Sequence, residues 1–222
     1  MLFRSQPGAR ASTLAPDDAT ARAGLAVAWR RDYLKSLERA SLDRAVEQYR
    51  AATRLDSSDV QSWLSLSCLE IERGDLPEAL AAAQGAGRTG RSRAEASLAA
   101  ASACWRLGQV EAADSLFRDG IGHVRRSVRE RYDDLAPIAS ERDTMVFNAL
   151  DADDRETFRR RFWNEHDPDL ATPENEARLE YWARVTQAYL LYFDARRRAW
   201  DERGEVYVRY GPPAREIGRA HV

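Results

Sequence analysis

Two stretches of the chain carry residue types that chemistry needs. Glu165-His166-Asp167 sets an imidazole between carboxylates, an arrangement able to act as a general base. Asn175-Glu176, with Glu180 one helical turn on, sets two carboxylates where they could share a proton or hold a cation. The same residues have plainer uses. Glu174 with Arg178 and Glu180 with Arg184 are i,i+4 ion pairs, and His166 falls near a helix end, where a cation is favoured. No serine nucleophile motif, glycine-rich phosphate loop or HExxH signature accompanies them. Cys68 and Cys104 have no CxxC partner and no neighbouring histidine, so neither a metal site nor a cofactor is expected. No catalytic residue is assigned.

The elements around these residues follow from local signals. Asp153 and Glu156 form a capping box, and Phe158 and Phe162 lie one turn apart on a common helical face. Asp167-Pro168 should stop that helix, because the residue before a proline is pushed out of the α region. Thr172 then reads as the next N-cap, with Pro173 at the first helical position and Glu174 and Glu176 in the first turn. Leu179, Trp182, Thr186, Tyr189 and Phe193 form one apolar stripe, and Tyr181, Val185, Ala188 and Tyr192 a second beside it, which predicts a core helix packed on two sides. Within this block Trp163 and Trp182 are expected in the core, with Asn175 bonding backbone near Asp167-Pro168. Beyond Arg203-Gly204, the alternation in Glu205 to Tyr210 predicts a strand ended by Gly211-Pro212-Pro213.

Taken together, Phe162-Trp163, Asp167-Pro168, Thr172, Asn175-Glu176, Arg184, Trp200, Asp201, Arg203-Gly204, Val206 to Val208 and Tyr210-Gly211-Pro212-Pro213 resemble the GWxTD domain family of bacteria. The likeness covers about residues 153–213, the last quarter to third of the chain. It departs at the motif that names the family: Ala199 stands where glycine is expected, and Trp200 to Gly204 is one residue short and lacks the threonine. The resemblance implies a domain without an established activity, often found beside helical repeats, and further sheet after the prolines. It therefore implies the N-terminal part of an incomplete α+β domain over 151–213.

Upstream, the chain repeats with a 34-residue period. Trp29 and Trp63, Ala45, Ala79 and Ala113, Gly74 and Gly108, and Tyr49, Ala83 and Phe117 all stand in register. Each small residue sits where two helices would approach closely, and each aromatic fills the gap beside it. This resembles the tetratricopeptide repeat over about residues 20–124, weakening in the third unit, where Ser97 replaces the tryptophan and no proline follows. The expected fold class is mostly α: an antiparallel helix-pair solenoid over 17–124, bridging helices over 125–150, then the incomplete domain. The bridge should cover the solenoid's end, which an isolated repeat cannot hide. Val128, Tyr132 and Leu135, then Met145, Val146, Ala149 and Leu150, fit two short helices broken near Pro137, with a continuous helical junction near residues 125–135.

First-helix positions line the inner face of such a solenoid: Arg30, Arg31, Leu34, Gln61, Leu64, Ser65, Cys68, Leu98, Ser102 and Trp105. One reading makes this a groove for a peptide or helix, with Trp105 as aromatic anchor. The other has it filled by the chain's own downstream helices. The Lys and Asn pattern that clamps a C-terminal carboxylate in related tetratricopeptide domains is missing. Cys68 and Cys104 lie on adjacent first helices at different heights, which leaves both a disulfide and two small buried thiols open.

Composition bounds the partners. The chain has 222 residues, 32% of them charged, and a net charge of −2, which predicts no electrostatic attraction to nucleic acid or anionic membrane. Of its 34 basic residues only Lys35 is a lysine, a bias in keeping with a GC-rich genome. No apolar run reaches membrane-spanning length, and Met1 to Thr13 lacks an apolar signal core. The compartment stays open, the cell envelope being the expectation if a signal peptide precedes the sequence. Residues 1–16 read as a disordered tail. Ile217 to Val222 is what ATC GGA AGA GCA CAC GTC encodes, the start of a common short-read sequencing adapter. Residues 214–222 are therefore expected to be a non-native tail on an incomplete gene product, with no role for His221. Two functions from different classes remain: a non-enzymatic scaffold that binds a protein or peptide, and a hydrolase or transferase whose site is completed by residues absent from this chain.

Overall fold

The computed structural model describes residues 17–194 and 199–212. Both expected tails, 1–16 and 214–222, lie outside the described residues. The chain divides into two compact units, Met1–Val124 and Arg125–Val222, and both are mainly helical.

The first unit is a stack of three helix pairs: α1 (Ala19–Ser36) with α2 (Arg39–Leu55), α3 (Val60–Arg73) with α4 (Leu76–Arg88), and α5 (Arg93–Arg106) with α6 (Val110–His123). Local chemistry starts and stops these helices. Asp18 accepts from the N–H groups of Thr20 and Ala21, and Asp59 from those of Gln61 and Ser62, which satisfies donors no helix can satisfy itself. Gly74 and Gly108 take left-handed φ values of 85° and 74° at the hairpin turns. The pairs run antiparallel, as cross-helix contacts show: Arg22 bonds Gln48 while Ser41 bonds Asp32, and Trp63 lies against Gly85 while the Ser67 hydroxyl donates to the Ala79 carbonyl at 2.8 Å.

The 34-residue register marks the packing positions. Ala45, Ala79 and Ala113 are each 0% exposed, and Tyr49, Ala83 and Phe117 are equally deep. Trp29 and Trp63 are only half-buried. Trp29 has the Arg44 guanidinium 4.5 Å from its ring centroid, and Trp63 donates its indole N–H to the Ser57 carbonyl at 3.0 Å. The third pair keeps the geometry with different chemistry. Ser97 stands 34 residues after Trp63, and Asp119 stands 34 after Gly85. There, a hydroxyl-to-carboxylate bond of 2.8 Å replaces the indole-on-glycine contact.

Neighbouring pairs are joined by polar links. Arg30 bonds the Ser65 hydroxyl and Tyr33 bonds Glu72, both from α1 to α3. Glu70 of α3 is wholly buried, with Arg50 of α2 at 2.7 Å and Arg73 at 2.9 Å; Arg50 and Arg73 also face Asp75, and Arg50 faces Glu78. Burial pushes the Glu70 carboxyl above its ordinary range, the two guanidiniums oppose this, and Asp75 adds to it.

The second unit holds α7 (Arg126–Asp133), α8 (Glu141–Ala149), α9 (Ala152–Glu165), α10 (Glu176–Tyr192) and α11 (Glu202–Tyr210). Ahead of α11, β1 (Phe193–Asp194) pairs antiparallel with β2 (Ala199–Trp200), Phe193 facing Trp200. Val124 and Arg125 are extended, so the expected continuous helical junction is instead a break. Val128, Tyr132 and Leu135 are buried as expected, whereas Met145 and Val146 are exposed. Tyr132 and Thr186 share a buried hydroxyl bond of 2.8 Å, and the Tyr181 hydroxyl donates to the carbonyls of Arg131 and Asp134, which docks α7 on α10. Burial, with the charge of Asp134 behind it, pushes the Tyr181 phenol well up.

The expected strand over Glu205 to Tyr210 is a helix, and no further α+β sheet appears among the described residues. A lone strand would leave its N–H and C=O groups without a ladder, whereas a helix satisfies them within the segment. Asp201 starts it by accepting from the N–H groups of Arg203 and Gly204. Gly204, Tyr207 and Val208 then share the buried face at helical spacing, and Val206 and Tyr210 stay exposed. Two caps also move. Asp151, not Asp153, caps α9, and Asn175, not Thr172, caps α10. No described helix is long and apolar enough to cross a membrane.

Candidate functional site

The residues singled out in the last third of the sequence gather into two polar knots of the second unit. The first joins the end of α9 to the start of α10. Asn175 is 5% exposed and works in both directions: its Oδ1 accepts from the Arg178 N–H at 2.8 Å, and its Nδ2 donates to the Trp163 carbonyl at 2.7 Å. The expected bond to backbone thus lands on Trp163, a few residues before Asp167-Pro168. Trp163 meets Phe162 edge-on at 5.3 Å and Tyr181 at 5.6 Å, within the core. Trp182 is half-buried, with the Arg178 guanidinium 4.8 Å from its ring centroid. Thr172 stays exposed and donates to Glu176 at 2.9 Å; Asp167 accepts from the Asp169 N–H, and Pro168 is exposed.

The second knot holds α11 against α10. Trp200 is 8% exposed, donates its indole N–H to Glu205 at 2.6 Å, and has the Arg131 guanidinium 5.1 Å from its ring centroid. A Cβ on Gly204 would meet Trp200 at 2.7 Å, so the glycine is a packing requirement. Arg184 pairs with Glu180 at 2.8 Å and donates to the Arg209 carbonyl at 3.2 Å, which satisfies an acceptor at the end of α11. Gly211, with φ of 82°, turns the chain beside that guanidinium. Asp201 holds Arg203 at 2.5 Å, and Arg203 lies 5.5 Å from the Tyr192 ring. Partial burial pushes the Asp201 carboxyl up, but its bonds to the Arg203 side chain and backbone N–H groups outweigh this and hold it below the usual carboxylate range. Tyr210 is exposed, as is Pro212.

The candidate acid-base groups do not converge. His166 stacks on Phe162 at 4.1 Å, and its Nδ1–H donates to the Phe162 carbonyl at 2.7 Å; the carbonyl can only accept, so the proton sits on Nδ1. Glu165 faces Arg161 at 3.5 Å, Glu180 holds Arg184, and Glu176 receives Thr172. Among the described residues no three His, Cys, Asp or Glu side chains are grouped to hold a metal ion.

In the first unit, the ten first-helix positions divide by depth. Leu64, Ser65, Cys68, Leu98 and Ser102 are buried, Arg30, Leu34 and Trp105 are half-buried, and Arg31 and Gln61 are exposed. Leu98 packs beneath Gly120 of α6. Cys68 and Cys104 are free and buried, and burial pushes the Cys68 thiol up to about 12. Sequence reasoning missed Glu70 with its two arginines, and it missed Asp119. The second was within reach, since projecting the Trp63–Gly85 contact one period on pairs Ser97 with Asp119.

No protein-family model matches the chain, and no curated protein matches it.

Proposed function

We propose that this chain is a non-enzymatic interaction protein of bacterial origin, in which a tetratricopeptide-type solenoid is joined to a GWxTD-type domain and binds a protein or peptide partner. The observation that carries this reading is the coincidence of period and packing. Ala45, Ala79 and Ala113, and likewise Tyr49, Ala83 and Phe117, stand 34 apart and are buried alike in three successive antiparallel hairpins, as stacked helical repeats require. Repeats of this kind offer a ladder of first-helix side chains as a binding face, and Arg31 and Gln61 are its exposed members. The second unit supports the same reading. Asn175 and Asp201 are spent on capping, Trp163, Trp200 and Gly204 on packing, and Glu165 and Glu180 face arginines.

A phage-displayed peptide library panned against the purified chain tests the proposal. Selected peptides should bind the parent protein and an Glu47→Arg/Arg54→Glu control, whose changes lie at exposed positions of α2. They should lose at least tenfold in affinity for Arg31→Glu/Gln61→Arg. Far-UV circular dichroism confirms that all three proteins fold. Failure to enrich any peptide, or equal binding to all three, overturns the reading.

A further inference from the structure

We draw no further inference here: the strongest candidate, the shallow depression between the Ala136–Ala139 loop and α8, with Arg209 of α11 at its rim and Val206 and Tyr210 exposed on that helix, carries nothing because nothing in the structure shows what covers it.

Discussion

Replacing Gly85 with alanine should destabilise the protein when Trp63 is present and stabilise it when Trp63 is gone. A Cβ at position 85 would lie 2.6 Å from Trp63 Cε3, 2.7 Å from Cδ2 and 2.9 Å from Cζ3. Carbon atoms in contact sit about 3.5–4.0 Å apart, so the indole must retreat by roughly 1 Å. Overpacking of this kind costs about 1–3 kcal/mol. The retreat also strains the indole bond to the Ser57 carbonyl, 3.0 Å in the folded chain and worth about 0.5–1.5 kcal/mol. Against this stands the better helix propensity of alanine, about 0.8–1.0 kcal/mol. The net cost of Gly85→Ala is then about 0.5–3.5 kcal/mol. In a Trp63→Ser background the clash and the indole bond are both absent, and only the propensity remains. There the same change should stabilise by up to about 1 kcal/mol. Urea unfolding of the four proteins, followed by far-UV circular dichroism because one variant pair lacks an indole, closes the cycle. Equal effects in the two backgrounds, within the roughly 0.5 kcal/mol expected of independent sites, would refute the contact and the repeat register built on it.

Ala79→Leu should cost about 1–3 kcal/mol by overpacking the crossing of α3 and α4, where Ala79 is 0% exposed; an unchanged melting temperature would count against that crossing. Asn175→Ala should cost about 1–3 kcal/mol, because it removes an N-cap and one of the two donors to the Trp163 carbonyl, which keeps the His166 N–H at 3.2 Å. Asn175→Asp should recover only the capping part, since a carboxylate cannot donate to a carbonyl, and equal stability of the two variants would contradict this. Glu70 has its folded-state pKa raised by burial. Its contribution to stability is therefore fully present below the ordinary glutamate range near 4.5 and falls as pH rises through the folded value. Glu70→Gln should flatten that fall, and parallel melting-temperature profiles for the two proteins above pH ~4.5 would show that Glu70 is not its source.

The sequence alone was enough to determine the helix pairing of the first unit. Ala45, Ala79 and Ala113 recur where only a small side chain lets two helices touch, and that steric demand is visible as a period without coordinates. Asp18, Gly74 and Gly108 stand at the ends of these helices for equally local reasons: a carboxylate accepts from free N–H groups, and glycine enters the left-handed region at little cost. Beyond that, several readings competed within a few residues, and tertiary structure chose among them. Val206, Val208 and Tyr210 alternate as a strand would, yet Gly204, Tyr207 and Val208 also fit a helical face. The helix prevails because the segment has no strand partner among the described residues, while Trp200 and α10 receive that face. Thr172 and Asn175 could each cap α10, and Asn175 prevails because its amide also reaches the Trp163 carbonyl twelve residues back. The charge cluster around Glu70 had no sequence signature at all. Arg50, Glu70, Arg73, Asp75 and Glu78 are ordinary surface residues until the stacking of the first two hairpins buries one of them among the rest.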